Sequence, residues 1–294
     1  MDLYFQVLFA VYAVVLVGTA LLSRVGEFQT WQMQRLAKRV GLGIPADLDA
    51  LIRRRVAARV LGSSVGGFVG LGVVVVLYES FATRPPVVVA FLALITAVTG
   101  SSLGTVWASF RDETAATDRP RIARAEAVRV GDYVIVLARI FAWAILVLAA
   151  VAIALSARSG AGLAGVLLVA LGAVCLVLFE IFSRRIVARG HPVASTDELV
   201  WNDALTASAL MDLLAAPVQA LTLGGYWAVI GVGGGPVDFS PADVVIVIAL
   251  LVGCILFSVV FRNTRTWYLE QLWPGSRRRT PAEEALRIAG SSPS

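Results

Sequence analysis

The feature that most constrains this chain is a series of seven apolar segments, each close to the length of a membrane-spanning helix. About 20 mostly apolar residues are needed to cross the hydrocarbon core of a bilayer. The segments cover residues 3–22, 61–78, 86–107, 134–156, 162–182, 205–230 and 243–261. Across the chain 58% of the residues are hydrophobic and 15% are charged, whereas soluble domains average about 45–50% and about 25%. We therefore predict an all-α polytopic bundle, with a transmembrane domain over residues 1–262 and seven spans.

The basic residues predict the orientation of this bundle. Of the 25 lysine and arginine residues, 22 lie in four polar segments, residues 23–60, 108–133, 183–204 and the stretch after 261. Short loops rich in lysine and arginine remain on the cytoplasmic side of a membrane. The four segments share one side only if the spans number seven. The N-terminus is then outside, and the tail, residues 263–294, is cytoplasmic.

The first basic loop, residues 23–60, has the composition of a membrane-surface segment. Residues 27–40 combine aromatic side chains such as Trp31 with Lys38 and neighbouring arginines, a pattern typical of a helix that lies on anionic headgroups. A second short helix is predicted to open at Pro45. Two interpretations stand: the charges only fix topology, or they form a docking surface for a cytoplasmic subunit.

Small residues recur at steps of four in the second and third spans. They are Gly62, Gly66 and Gly70 in one span and Gly100 and Gly104 in the next. Such spacing lets helix backbones approach closely in membranes. We predict that the two spans pack as a tight hairpin. The alternatives are a homodimer face, which would make the chain a homo-oligomer, and a gap for a substrate.

Two ionisable residues fall well inside predicted spans, where charge is costly and marks functional candidates. Arg139 and Asp212 each lie roughly 10 Å into a span at 1.5 Å per residue, so an ion pair between them would offset part of the cost. Ser208 and Gln219 continue a polar stripe along the same helix as Asp212, and Pro217 interrupts its hydrogen bonding. One interpretation is a static buried pair; the other is a candidate intramembrane polar site on a solute path.

The sequence contains no motif for zinc binding, nucleotide binding or catalysis. His191 is the single histidine and Lys38 the single lysine, so neither a histidine-based zinc site nor a phosphate-binding P-loop can be assembled. The two cysteines, Cys175 and Cys254, lie in apolar runs and are interpreted as buried hydrophobic side chains. We predict no enzyme activity, no catalytic or metal-binding residue and no cofactor. The arginine-rich loops lack regularly spaced stacking aromatics, so nucleic acid is not a predicted partner.

Two polar stretches carry a resemblance. Arg121-Ile-Ala-Arg124 leads to Asp132-Tyr133, and Ala194-Ser-Thr-Asp-Glu-Leu199 leads to Asp203-Ala-Leu205. Together they resemble uncharacterised multi-pass integral membrane proteins of high-GC Gram-positive bacteria. The resemblance implies that the protein lies in the bacterial cell (inner) membrane and is associated with ABC transporters. It implies no activity or binding residue.

The function predicted from these features is a membrane-embedded transport component that works with a cytoplasmic ATPase partner. The polar stripe around Asp212 would supply the path, and the chain has no energy-coupling motif of its own. The alternative is a non-transporting membrane scaffold or sensor subunit, which fits the short outer loops equally well. A six-span ABC permease would differ from this chain in span number and in the side of its N-terminus.

Overall fold

A computed structural model describes most of the chain as helices. The described residues are 3–76, 86–111, 128–156, 163–188, 195–230, 241–257, 261 and 266–273. The helices are α1 Leu3–Leu22, α2 Gly26–Val40, α3 Asp49–Val76, α4 Pro86–Arg111, α5 Val130–Tyr133, α6 Val136–Ser156, α7 Leu163–Ala188, α8 Thr196–Ile230, α9 Pro241–Leu256 and α10 Trp267–Leu272. Within these ranges no β-strand occurs, so the all-α prediction is confirmed.

Several of these helices are suited to a membrane. Within the described residues α3, α6, α7 and α8 are each long and apolar enough to cross one, and the count rises to five if the bent pair α1–α2 forms one span. Helices α1, α4 and α9 coincide with the other predicted segments. The ends of three predicted spans, at residues 77–78, 162 and 258–260, lie outside the described residues. The count of seven remains a prediction.

The first loop departs from its prediction because the second short helix does not exist as a separate element. A turn follows Pro45, in which the Leu48 N–H donates to the Pro45 carbonyl at 3.1 Å. The helix then begins at Asp49 and continues without a break to Val76. No proline interrupts this stretch, and Ile52 and Val56 are buried on its inner side. The expected loop helix is therefore the first part of the following span.

The start of α8 also lies earlier than predicted. The sequence placed residues 183–204 in a loop, but the helix begins at Thr196. The Ser195 hydroxyl accepts a hydrogen bond from the Glu198 N–H at 3.2 Å, which is the usual role of an N-cap serine. Asp197 and Glu198 lie in the first turn, where negative charge complements the helix dipole. Polar residues of this kind are typical of loops, but here they form the capped first turn of a helix.

Helix α2 turns sharply away from α1, and the angle between them is 94°. Its inner face buries Met33, Ala37 and Val40, whereas Trp31 remains about half exposed. The helix ends at Gly41, whose φ of 70° is in the left-handed region that glycine adopts readily. The predicted surface helix is therefore present, nearly perpendicular to a helix of membrane-spanning length.

Helix α8 is the centre of the molecule. Most of its residues are buried, including Leu210, Leu214 and Leu221 at 0% exposure, and it contacts α4, α6, α7 and α9. Pro217 lies inside the helix without ending it. The side chains carried by α8 therefore face other helices on nearly every side.

The glycines of α3 and α4 lie at the contact between these two helices. A methyl group added at Gly66 would be 2.0 Å from the Gly100 carbonyl oxygen, and one added at Gly62 would be 2.4 Å from the Gly104 carbonyl oxygen. At Gly70 it would be 2.0 Å from the Thr96 carbonyl oxygen. Any side chain here would force the backbones apart. The glycines therefore pack α3 against α4 within the chain, as the predicted tight hairpin requires.

A second close contact joins α7 and α8 and was not predicted. A methyl group at Gly165 would lie 2.6 Å from the Ala228 nitrogen, and one at Gly224 would lie 2.7 Å from the Val169 nitrogen. The glycines of this contact are not spaced at steps of four, so the sequence pattern used for α3 and α4 does not reveal them.

Part of the predicted tail packs against the helical body. The Trp267 indole N–H donates to the Gly131 carbonyl at 3.0 Å, and the Trp273 indole N–H donates to Asp203 at 2.9 Å. Tyr268 is fully buried between these contacts. The rest of the tail, residues 263–265 and 274–294, lies outside the described residues.

Candidate functional site

Asp212, the predicted acidic residue of the sixth apolar segment, is paired with Arg59 of α3. Arg59 Nη2 and Asp212 Oδ2 are 3.7 Å apart, and Arg59 Nη1 also donates to the Leu205 carbonyl at 3.5 Å. The Arg59 side chain is 12% exposed and that of Asp212 is 37% exposed. The arginine is thus enclosed, while the aspartate keeps a larger open surface.

Arg59 belongs to a short row of charges along the face of α3 that meets α8. Arg55, one helical turn earlier, donates to the Asn202 side-chain oxygen and lies 3.8 Å from Glu198. Residues four apart share one face of a helix, so both arginines point at α8. The described links between α3 and α8 at this face are therefore made by charged and polar side chains.

Arg139 does not pair with Asp212, so the ion pair considered from the sequence is wrong. Its Nη2 lies 2.6 Å from Glu180 Oε2, and its Nε donates to Oε1 of the same carboxylate at 3.2 Å. Two parallel contacts of this kind make the strong form of an arginine–carboxylate pair. The sequence predicts similar depths for Arg139 and Asp212, but Arg139 lies in the first turn of α6, whereas Asp212 lies well beyond the first turns of α8. Arg139 also faces α7.

Asp212 lies on the wall of an open polar cleft of about 320 Å³. Helices α1, α2, α3, α4 and α8 all contribute to this wall. Its polar residues are Thr19, Gln32, Arg35, Arg39, Arg59, Ser63, Ser64, Thr105, Ser208 and Asp212. Its apolar residues are Leu16, Leu36, Val56 and Val60. We call this space the arginine cleft.

A second cavity of about 220 Å³ adjoins the arginine cleft. The two spaces share Ser63, Thr105 and Asp212. The second cavity adds Ser101, Ser102 and Gln219 to the polar wall. A polar space therefore runs from the basic helix α2 past Asp212 to Gln219, between helices of membrane-spanning length.

The structure brings together three of the four predicted polar residues. Ser208, Asp212 and Gln219 line the two adjoining spaces, whereas Arg139 lies in a different contact. The sequence did not identify Arg59, because it follows Arg53, Arg54 and Arg55 and was counted with them as a loop charge. The serines and threonines of α3 and α4 beside the glycine stripe were also missed, although their small polar side chains were the available signal.

The charge of the arginine cleft favours an anionic ligand. Three arginines and one aspartate line it, so positive charge is in excess. Arginine binds carboxylates and phosphates through a planar fork of N–H donors. Within the described residues no group of three histidine, cysteine, aspartate or glutamate side chains could hold a metal ion.

A second polar cluster, centred on Asp203, ties the tail segment to the helical body. The Tyr133 hydroxyl donates to Asp203 Oδ1 at 2.8 Å, and the Trp273 indole donates to Oδ2. Tyr268 lies nearby, and burial, followed by the negative charge of Asp203, raises the pKa of its hydroxyl well above the ordinary range. Because this cluster is enclosed, we interpret it as a structural contact that holds the tail segment against the helices.

A comparison with protein-family models, with curated proteins and with solved structures finds no match for this chain. The geometry of the arginine cleft and of the cavity beside it therefore carries the functional inference.

Proposed function

We propose that this chain is the membrane-embedded component of a transporter that works with a cytoplasmic ATPase partner. The proposed topology has seven spans, an external N-terminus and a cytoplasmic tail. The support is the hydropathy of the seven segments and the concentration of basic residues on one side. The resemblance of residues 121–133 and 194–205 to membrane proteins of Gram-positive bacteria supports a bacterial cell membrane as the location.

The observation that carries the proposal is the polar space beside Asp212. Polar and charged groups at membrane depth are expensive and usually line a water-filled cavity or a substrate pathway. Here two adjoining cavities share Asp212 and are lined by serine, threonine and glutamine side chains from five helices.

The ATPase partner is proposed because the chain has no nucleotide-binding motif of its own. The basic segments give a partner a charged surface on the cytoplasmic side. Helix α2 and the first turns of α3 form one described part of that surface, and Arg35, Lys38 and Arg54 are exposed there. The Arg55–Glu198 contact links this surface to α8, so a partner that moves α3 would also move the helix that carries Asp212.

The test is purification of the full chain from its native membrane in nanodiscs, with mass spectrometry of its stoichiometric companions. We expect a nucleotide-binding subunit at a fixed ratio. ATP hydrolysis by the purified complex should fall when Asp212 is changed to asparagine and should be unchanged by Val147→Ala, a substitution on the outer face of α6. Recovery of the chain alone, or only with further copies of itself, would contradict ATPase coupling.

A second candidate function, a membrane scaffold or sensor subunit, is favoured by one observation. The charged residues inside the bundle are paired, Arg139 with Glu180 and Arg59 with Asp212. Paired charges can fix the order of helices without taking part in transport. In a scaffold of this kind water-soluble reagents would not reach Gln219 in the second cavity, which is the difference that an accessibility measurement detects.

A further inference from the structure

We infer that the arginine cleft binds the phosphate of an anionic membrane lipid. Basic pockets between transmembrane helices are recurrent sites for anionic lipid headgroups. The ligand class is a glycerophospholipid whose phosphate lies among the arginines and whose acyl chains lie against the apolar wall of the cleft and the outer face of α1. Lipid binding at this site is independent of the proposed transport function, because the cleft can bind a lipid that is not transported.

The first argument is charge. Arg35 and Arg39 of α2 enter the cleft four residues apart on one helical face, and Arg59 enters from α3. Asp212 is the single acidic residue on the wall, and it lies beside Arg59. Three arginines against one aspartate give the wall a net positive charge, and a phosphate diester is the anion available at the surface of a membrane.

The second argument is the position of α2. The helix lies at 94° to α1, so it runs along the membrane surface if α1 crosses the membrane. Trp31 is 49% exposed, and its ring lies 5.2 Å from the guanidinium carbon of Arg35. Tryptophan is enriched at the headgroup level of membranes. The cation–π contact thus places the Arg35 guanidinium at the depth where lipid phosphates lie.

The third argument distinguishes a lipid from a free anion. The cleft wall includes Leu16 on α1 and Leu36, Val56 and Val60. Beside Leu16, Val15 and other residues of α1 are exposed, and they form an apolar outer surface along this helix. A free phosphate would gain nothing from these side chains, whereas an acyl chain would bury them at about 25 cal/mol per Å².

The test is a lipid titration of the purified full chain, delipidated in detergent and followed by native mass spectrometry. Dioleoylphosphatidylglycerol is compared with dioleoylphosphatidylcholine. The cleft variant is Arg35→Gln with Arg39→Gln. The control is Arg24→Gln with Lys38→Gln, which removes two exposed positive charges from the same region without altering the wall of the cleft.

We expect the wild type and the control to prefer phosphatidylglycerol, and the cleft variant to bind it about tenfold more weakly, or about 1.4 kcal/mol. If the cleft variant does not fold, Arg35→Lys with Arg39→Lys serves instead. It keeps both charges and is expected to lose part of the affinity because the planar fork is gone.

Three results would overturn the inference. One is equal binding of the two lipids by the wild type. Another is an equal loss in the cleft and control variants, which would mean general attraction to the protein surface. The third is displacement of phosphatidylglycerol by inorganic phosphate at comparable concentration, which would identify the ligand as a free anion. None of these results depends on ATP or on a partner, so they leave the proposed transport function to its own test.

Discussion

Arg59 and Asp212 face each other across the contact between α3 and α8, with Nη2 and Oδ2 3.7 Å apart. The pair lies at the point where the arginine cleft meets the second cavity. Arg59 is the more enclosed partner, and more than a third of the Asp212 side chain is exposed. The arrangement places a carboxylate on the wall of a polar space while an arginine behind it balances the charge.

The Arg139–Glu180 pair is expected to contribute more to stability than any pairing of Arg139 with Asp212. Glu180→Gln should lower the free energy of unfolding by about 2 kcal/mol, less than the loss for a fully buried pair, because the two side chains are 26% and 18% exposed. Thermal unfolding in detergent measures the change. The exchange Arg139→Glu with Glu180→Arg should recover part of it.

The control for that prediction is the exchange Arg139→Asp with Asp212→Arg. This double variant should be less stable than either single variant, because it leaves Glu180 without its arginine and brings two basic residues, Arg59 and the new one, together. Recovery of stability in this double variant would show that the pairing described for Arg139 is wrong.

The glycine contact between α3 and α4 should tolerate no side chain. Gly66→Ala places a methyl group 2.0 Å from the Gly100 carbonyl oxygen, so the helices must separate, at about 1–3 kcal/mol for an overpacked contact. Gly72→Ala is the matched control on the same helix, because a methyl group there has nothing within 4 Å. The melting temperature should fall for Gly66→Ala and be unchanged or higher for Gly72→Ala. Equal effects would contradict the described packing.

Two tyrosines near Asp203 should respond differently to loss of the hydroxyl. Tyr133→Phe removes a hydrogen bond to a carboxylate and is expected to reduce stability by about 1.5–3 kcal/mol. The Tyr268 hydroxyl is buried and finds no hydrogen-bond partner within the described part of the chain. Tyr268→Phe should therefore be neutral or stabilising in the same unfolding assay. A larger loss for Tyr268→Phe than for Tyr133→Phe would refute this assignment.

Alkaline pH should reveal the environment of Tyr268. Its pKa is raised in the folded chain by burial and by Asp203, whereas in the unfolded chain it ionises near about pH 10. The folded state thus retains the proton that the unfolded state releases, so stability falls as the pH rises above that value. Between pH 9 and pH 11 the wild type should lose stability relative to Tyr268→Phe. A constant difference would show that the hydroxyl is not buried.

The helices were predictable from the sequence because apolar segments of span length leave few other structures in a membrane protein. Their ends were less predictable where polar and charged residues begin a helix, as at Asp49 and Thr196. Residues of this kind occur both in loops and in first turns. A loop is distinguished from a first helical turn only by the capping residue and by which of the following side chains are buried. Burial is known only once the helices have packed together.

The candidate site was predicted in part for a similar reason. Asp212, Ser208 and Gln219 share one helix, so their spacing reveals a common stripe. Arg59, which pairs with Asp212, and Thr105, which shares the cavity wall, lie on other helices. No sequence pattern gives the rotation of one helix against another. The same missing information explains the wrong pairing of Arg139, whose partner Glu180 lies on α7.

The measurement that tests the central claim most directly is chemical accessibility of the polar space. Single cysteines at Ser63 and Gln219, in a chain with Cys175→Ala and Cys254→Ala, are treated with a membrane-impermeant maleimide in sealed vesicles. Val147→Cys is the control, since this side chain is 63% exposed on the outer face of α6. If the space is a water-filled path, Ser63→Cys and Gln219→Cys react and Val147→Cys, which faces lipid, does not. Failure of both Ser63→Cys and Gln219→Cys to react, or equal reaction at all three positions, would contradict the account.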